Sequence, residues 1–386
     1  PRPAPGRRES EMNRYAHVTG WGMAVPRNLV TNDDLAQRMD TSDEWIVART
    51  GIRQRHIAAA HETTATLATR AAMRALERTS LRPRDLNLII VATSSPEHLF
   101  PATACLVQDT LGASKAGAFD LSAACTGFLY GLSLAADSIR SGAIDNALVI
   151  GSETLSRLVD WEDRATSVLF GDGAGAFVLE AGSRPGGVLS SVLRSDGSGA
   201  NLLSLPAGGS RMPTTIETVK NKQHTIHMNG REVFRFATRV MASATRESLE
   251  NAGLGIEDAK LLVPHQANRR IIEAAARSLR IPMDRVFVNI DRYGNTSAAS
   301  IPIAVCEAVG DGRIQPGDHV VMVAFGAGLT WGAQTLKWVA PERRVPIFRK
   351  PLVRLSTGLA KLRSWLRRLW RRLEALIFRA RSGPNP

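Results

Sequence analysis

The sequence predicts an α/β layered fold built from two related halves, and three observations lead to it. Short β-branched and apolar runs alternate with longer segments of helical period across residues 13–340, the pattern of strands covered by helices. Two stretches of about forty residues each read alike, too long for a small solenoid repeat and suited to duplication of a whole half. They are AGAFDLSAACTGFLYGLSLAADSIRSGAIDNALVIGSE and DRVFVNIDRYGNTSAASIPIAVCEAVGDGRIQPGDHVVMVAFGAG, and each gives strand, turn, helix, short loop, strand. Composition is ordinary for an ordered globular chain, with 44% hydrophobic and 22% charged residues in 386.

These observations divide the chain into a loose N-terminal arm over 1–12, one half over 13–180, a second over 181–340, and a basic linker and tail over 341–386. The arm, PRPAPGRRESE, has no apolar stretch and is not expected to act as a secretory signal, and Met12 offers an alternative start. Pro341, Pro346 and Pro351 mark the last boundary, since each removes a backbone donor and discourages continuous helix. No run approaches the roughly 18–20 apolar residues of a membrane span. Three cysteines without a C-x-x-C pair argue against a disulfide framework or structural zinc and fit a reducing cytoplasm. The net charge of +13 suggests a nucleic-acid binder until it is located: residues 341–386 carry 13 Lys and Arg against 2 Asp and Glu. The body is nearly neutral, and no nucleic-acid partner is expected.

Within the first half, Cys125 follows the strand-like AGAFDLSAA and opens the helical TGFLYGLSLAADSI. That places its sulfur at a helix N-terminus, where unpaired N–H groups and the helix dipole favour thiolate. Gly127 leaves the backbone accessible there. A buried small hydrophobe is the alternative, and it is the reading given to Cys105 and Cys306, which sit inside apolar helical segments. GDGAGA over 171–176 runs into the strand-like AFVLE and not into a helix, so tight backbone approach is expected there in place of phosphate binding. His224 and His227 in HTIHMNG lack further ligands nearby, and no metal site is assigned.

The second half adds His265, just after the strand-like AKLLVP, and Asn295, in the turn that duplicates the one carrying Cys125. Thiol, imidazole and carboxamide at the carboxyl ends of strands make an acyl-transfer constellation. Alone, His265 reads equally as a structural histidine and Asn295 as a helix N-cap.

At these motifs the chain resembles the β-ketoacyl-(acyl carrier protein) synthase III family, which starts type II fatty-acid synthesis. The resemblance covers about residues 13–340 and rests on DTSDEWIVARTGIRQRHIA, FPATACLVQDTLG, DLSAACTGFLYGL, FGDGAGAFVLE, SDGSGANLLSLPAGGSR, VPHQANRRI, RYGNTSAASIPIA and FGAGLTWG, in that order. Elongating synthases pair two histidines with the cysteine, whereas this chain offers His265 and Asn295. The resemblance implies a thiolase-like fold, two pseudo-duplicated halves in five layers. It implies that Cys125 is acylated from acyl-CoA, and that His265 and Asn295 stabilise the charge formed when malonyl-acyl carrier protein loses CO₂. The backbone N–H groups of Cys125 and Gly328 would form the oxyanion hole. Trp45 and Arg164 would sandwich the CoA adenine, with Arg49 near the phosphates and Asn268 in the same set. Arg235, Gln266, Arg270 and Arg277 would meet the acyl carrier protein. Phe100 would cross a homodimer interface to line the partner's acyl pocket. No metal or redox cofactor is implied. The readings that compete with a starter synthase are a relative serving a specialised pathway and an idle thiolase-fold scaffold at a membrane. Ala327 in FGAG is a minor departure from the family pattern.

The tail is the larger departure, since family chains usually end near residues 336–339. Leu355, Leu359, Leu362, Leu366, Leu369, Leu373 and Leu376 recur at alternating steps of four and three, one apolar stripe on a helix expected over 355–378. A coiled coil would want complementary charges on the flanks. Here Trp365, Trp370 and Ile377 share the flanks with Arg363 and Arg372, beside Arg367, Arg368 and Arg371, a pattern suited to an anionic membrane surface.

Overall fold

The structure, a computed structural model, describes residues 14–339 and 349–381, with side chains of the last helix described over 351–375. The N-terminal arm and most of the linker lie outside the described residues. In chain order the principal elements are β1 (Tyr15–Ala24), α1 (Asp43–Thr50), α2 (Thr64–Leu76), β2 (Leu88–Ala92), α3 (Thr103–Leu111), β3 (Gly117–Leu121), α4 (Gly127–Arg140), β4 (Asn146–Glu153), β5 (Gly173–Gly182) and β6 (Gly187–Ser195). They continue with α5 (Gly230–Asn251), β7 (Ala259–Pro264), α6 (Arg269–Leu279), α7 (Ser300–Gly310), β8 (His319–Gly326), β9 (Thr330–Lys337) and α8 (Arg349–Arg381).

Two sheets carry the fold. The first runs β1-β5-β4-β2-β3 and the second β6-β9-β8-β7. Both begin with two antiparallel pairings and then turn parallel: β1 to β5 and β5 to β4 in one, β6 to β9 and β9 to β8 in the other, followed by β4 to β2 and β8 to β7. The correspondence extends one step further. Where β3 pairs parallel with β2, the second sheet has only the isolated parallel bridge between Leu262 and Val286. The strand expected in DRVFVNI is thus reduced to one bridge followed by the short helix Ile290–Tyr293.

Helices α2 and α3 cover the outer face of the first sheet and α5 and α6 that of the second, while α4 and α7 touch both sheets from between them. This is the five-layered thiolase arrangement. It explains the composition of each element, because a strand or helix covered on both sides must be apolar all round. All eight residues of β4, NALVIGSE, are buried, and α7 reads SIPIAVCEAVG with Ile301, Ile303 and Val305 at 1% exposure or less. By contrast α5 and α6 are amphipathic, with buried Val233, Phe236, Val240, Ile272 and Leu279 on one face only. The glycine run at 171–176 is a close backbone approach: a Cβ on Gly171 would lie 2.3 Å from the Tyr293 carbonyl, and one on Gly175 2.6 Å from Pro302.

Three expectations require correction. Cys105 is exposed, because it lies on the side of α3 next to the edge strand β3 and approaches the Ala118 carbonyl. Cys306 is half-buried where full burial was expected. Pro351 does not exclude helix: α8 starts at Arg349, so Pro351 falls in its first turn, where an N–H has no intrahelical partner to lose.

The two duplicated turns meet at the centre. Ala124–Thr126 precedes α4 and Ser297–Ala299 precedes α7, each a single 3₁₀ turn entered through a left-handed residue, Ala124 with φ 47° and Ser297 with φ 48°. Each turn is seated on a glycine of the opposite half. A Cβ on Gly151 of β4 would lie 2.1 Å from the Ala298 carbonyl oxygen, and one on Gly326 of β8 2.7 Å from the Cys125 backbone nitrogen. Gly151→Val is therefore expected to destabilise the protein by about 3 kcal/mol or more, as overpacking against backbone that has no room to move. Urea unfolding by circular dichroism checks this, with Gly142→Ala, which meets no described residue within 4 Å but has φ 78°, costing less.

Candidate active site

Cys125, His265 and Asn295 all line one cavity of about 590 Å³, together with Trp45, Arg49, Arg164, Phe234, Asn268, Arg270 and Phe325. Cys125 is only 9% exposed. Burial pushes its thiol up to about 12, the nearby Glu153 carboxylate adds to the rise, and the Ser297 hydroxyl opposes it. A rise of that size corresponds to roughly 4 kcal/mol, more than the roughly 2 kcal/mol a helix N-terminus supplies at best. The expected bias toward thiolate is therefore outweighed in the free protein, where the cysteine is a neutral thiol.

His265 directly follows β7, and its backbone N–H donates to the Val323 carbonyl at 2.7 Å. Its ring Nδ1 pairs with Ser300 Oγ at 2.6 Å, and Phe325 packs edge-on against it. Nε2 is buried with no partner among the described residues. Desolvation lowers the imidazole to about 3, so the ring is neutral near pH 7. If Ser300 donates to Nδ1, the ring proton sits on Nε2 as a donor.

Asn295 is gripped on both sides by residues 169–171, with its N–H donating to the Leu169 carbonyl at 2.9 Å and its carbonyl accepting from Gly171 N–H at 3.0 Å. Its side-chain Oδ1 accepts from Ser297 N–H at 2.8 Å. That bond fixes the orientation of the carboxamide and leaves Nδ2, a donor, for the cavity. In the duplicated fold the counterpart of Cys125 is Ala298, the second residue of the turn. Asn295 lies three residues earlier.

Glu153, at the end of β4, is fully buried and accepts from Ser94 N–H, Ser95 Oγ and Thr93 Oγ1. Burial raises its carboxyl above the usual range. Sequence reading missed it because VIGSE gives no sign that the strand ends beside Cys125.

The cavity mouth gathers Trp45 and Arg49 of α1 with Arg164. Both guanidinium groups lie over the Trp45 ring, at 4.6 Å for Arg49 and 5.2 Å for Arg164, and Arg164 also donates to the Asp40 carbonyl at 2.7 Å. Asn268 caps α6 and ties it to α1 by donating to the Arg49 carbonyl at 3.0 Å. Arg270 stands over Phe234 at 5.5 Å. Arg231 and Phe234, from the start of α5, also line the cavity; the sequence signal for them was Asn229 as an N-cap within HMNGREVF.

Other assigned residues lie elsewhere. Gln266 is 1% exposed, so it has no surface to offer a carrier protein. It braces the segment after Val286 instead, donating to the Pro264 and Phe287 carbonyls and accepting from the N–H groups of Asn289 and Ile290. Arg235 and Arg277 are exposed on α5 and α6, outside the cavity lining, and Arg235 pairs with Glu232. Phe100 is 86% exposed beside Leu99 at 83% and does not line this chain's own cavity. Gly328 sits in the turn joining β8 to β9, two residues after Gly326, which does line the cavity. His224 pairs with Thr218 and His227 with the Lys222 carbonyl. Among the described residues no cluster of His, Cys, Asp and Glu suited to a metal ion occurs.

Fold and site together define a thiolase-fold condensing enzyme of the acyltransferase type. Residues 119–197 match the family described as 3-Oxoacyl-[acyl-carrier-protein (ACP)] synthase III, and residues 249–338 match the C-terminal part of the same family. Beta-ketoacyl-[acyl-carrier-protein] synthase III of Desulfitobacterium hafniense is 55% identical over 321 residues, 83% of this chain and 97% of the relative. The protein of that name from Symbiobacterium thermophilum is 56% identical over 84% of this chain and 98% of its own length. Among solved structures, 3-oxoacyl-[acyl-carrier-protein] synthase III from Aquifex aeolicus superposes with a TM-score of 0.78 at 48% identity, covering 84% of this chain and 100% of its own. The priming beta-ketosynthase of the R1128 polyketide pathway gives 0.79 at 37% identity, covering 85% and 98%. The chain belongs to the 3-oxoacyl-[acyl-carrier-protein] synthase III family.

Because His265 is held neutral by burial, the pH profile of malonyl decarboxylation is expected to show no limb near pH 6.5 from this residue; the profile is checked by CO₂ release between pH 5 and 8. Ser300→Ala removes the partner of Nδ1 and is expected to slow that step by roughly tenfold while leaving Cys125 acylation intact.

Proposed function

We propose that the chain joins an acyl starter to a malonyl unit on acyl carrier protein, opening type II fatty-acid synthesis. The observation that carries this reading is the convergence on one cavity of a thiol, a His265 Nε2 with no partner among the described residues and an Asn295 amide whose oxygen is already engaged. In the first step Cys125 Sγ attacks the thioester carbonyl of acyl-CoA. The sulfur–acyl bond forms, the bond to the CoA sulfur breaks, and the thiol proton leaves with the departing CoA. Charge developing on Sγ benefits from the start of α4, while the N–H groups of Cys125 and Gly328 receive the carbonyl oxygen.

In the second step the malonyl thioester of acyl carrier protein loses CO₂. The electron pair of the broken C–C bond passes into an enolate, whose oxygen accepts from His265 Nε2 and Asn295 Nδ2. Donors of this sort are worth about 3 kcal/mol each when preorganised. The enolate carbon then attacks the Cys125 thioester, a C–C bond forms, the bond to Sγ breaks to release the 3-oxoacyl product, and the expelled thiolate takes up a proton from solvent to restore the thiol. A neutral histidine suits this division of labour, because it offers a hydrogen bond and retains its proton.

Trp45 and Arg164 form the adenine clamp in this reading, with Arg49 near the phosphates and Asn268 ordering the rim. Opening the Trp45–Arg164 contact to admit the base accompanies binding. Arg270, Arg235 and Arg277 present cations to an acidic carrier protein, and exposed Arg231 joins them. We also propose a homodimer formed along the open edge of β3, where Phe119 is 40% exposed and where Leu99 and Phe100 project. The enzyme acts in the cytoplasm without metal or redox cofactor, and residues 355–378 reach an anionic membrane surface. Similarity to the R1128 priming ketosynthase supports a second reading, delivery of the primed chain to a specialised pathway; a panel of acyl-CoAs assayed for Cys125 acylation separates the two by preferred starter.

Cys125→Ser is expected to abolish condensation, since an alcohol is a far poorer nucleophile than a thiol. His265→Ala and Asn295→Ala are expected to leave Cys125 acylation intact and to suppress decarboxylation by roughly two orders of magnitude. Mass measurement of the acyl-enzyme alongside CO₂ release checks both, and equal loss of the two steps would contradict the assigned roles.

A further inference from the structure

Helix α8 lies beyond the family match, which ends at residue 338, and it presents two faces of different chemistry. Its inward face is made of small residues. Val353 is 1% exposed and joins the core under α2 and α3, and Thr357 and Ser364 are 2% and 5% exposed. Ala360 packs on Gly112 at the end of α3, so closely that a Cβ on Gly112 would lie 2.7 Å from the Ala360 Cβ. Polar contacts fasten the same side: Ser364 Oγ donates to Asp109, Arg367 reaches Asp109 at 3.1 Å, and Arg354 reaches Glu77 at 3.3 Å.

Leu355, Leu359, Leu362 and Leu366 each stand two residues from a member of that inward set. Two residues turn an α-helix by about 200°, so the leucine stripe looks directly away from the body. Its leucines from 352 to 373 are between 41% and 62% exposed, and Trp365 and Trp370 on the flanks are 54% and 64% exposed. Residues 351–375 carry seven Lys and Arg against the single carboxylate of Glu374.

Resting on the reading that this segment meets a membrane, we propose that α8 is a clamp: it stays docked to the body through Val353, Thr357, Ala360 and Ser364 while its leucine face lies in an anionic bilayer, holding the enzyme in one orientation. Charge selects the occupant. A second α8 would bring seven cations against seven with one carboxylate apiece, whereas anionic headgroups complement Arg363 and Arg372 beside the stripe and tryptophans suit the headgroup boundary. The helix itself is not long and apolar enough to cross. The orientation keeps the active site free. Helix α8 packs on α2 and α3, the outermost layer on the first-sheet side, whereas α5 and α6, which contribute to the cavity mouth, form the outermost layer on the other. No described residue of α8 lines the cavity, so a soluble carrier protein can reach the mouth while α8 meets the bilayer.

The test uses the full chain with vesicles of phosphatidylglycerol in phosphatidylcholine, and with phosphatidylcholine alone. Co-sedimentation with the anionic vesicles, reversed by salt, is expected. Arg363→Gln with Arg372→Gln should weaken it roughly thirtyfold, and Leu359→Ser with Leu362→Ser should abolish it; all four residues are exposed, so the fold is not at stake. Protein that stays in the supernatant with both vesicle types, or a larger oligomer lost in the leucine variant without lipid, overturns the membrane reading and the clamp together. A Ser364→Cys variant then isolates the clamp: its alkylation, read by peptide mass and compared with exposed Cys105, should stay slow with and without vesicles. Binding accompanied by fast alkylation in lipid-free and vesicle samples, or by acceleration on vesicles, overturns the clamp and leaves the membrane reading standing.

Discussion

The active site depends on one constraint, the absence of a side chain at Gly151 and at Gly326. Gly151 lies two residues before the end of β4 and Gly326 ends β8, and each accepts against its backbone the functional turn of the other half. With a Cβ at either position the turns could not come together, and Cys125 could not share a cavity with Asn295. Duplication makes the arrangement self-consistent, because one solution to close backbone packing serves twice across the pseudo-twofold axis. Divergence then acts on the same scaffold: the first turn keeps a thiol at its second position, and the second turn has Ala298 there and uses Asn295 and Ser297 instead.

This packing also sets the electrostatics. Turns buried between two sheets exclude water, and exclusion of water pushes the Cys125 thiol up to about 12 and His265 down to about 3 by the same mechanism, disfavouring each charged form. Both groups are neutral at rest, so Cys125 and His265 offer hydrogen-bond donors without carrying charge themselves. Such a site is matched to a reaction in which negative charge appears transiently on an oxygen and then disappears. Neutral donors stabilise that oxygen when it forms and impose little electrostatic cost before it does.

Much of this was legible in the sequence, for a physical reason. Strands and helices covered on both faces must be apolar, so the central elements announced themselves as uninterrupted runs, and the repeat of strand, turn and helix located both turns. The register between the turns was not legible. Cys125 lies within its turn whereas Asn295 lies two residues before the corresponding turn, because the second half replaces strand β3 with a bridge at Val286 and a four-residue helix, which alters the approach to the turn. Gln266 was misassigned for a related reason. It sits between the buried His265 and the exposed rim at Asn268, and only the loop it braces shows on which side of that boundary it belongs. Glu153 and Arg231 left weak signals, since both depend on which elements are neighbours in space.

The charge distribution completes the division between body and tail. A nearly neutral body avoids long-range attraction to any polyanion, and what cations it offers near the site are local, such as Arg270 at the cavity mouth. The tail concentrates the opposite character in one helix, and in the proposed membrane contact its cations alone would give weak attachment: at about 1 kcal/mol each, four or five of them yield only millimolar affinity. Apolar burial has to supply the remainder, and the leucine stripe is available for it because small residues, not leucines, were used to fasten α8 to the body. A helix joined to the body through its leucines would have had no apolar face left. The choice of Val353, Thr357, Ala360 and Ser364 for the inward seam is therefore what leaves the outward face available for lipid.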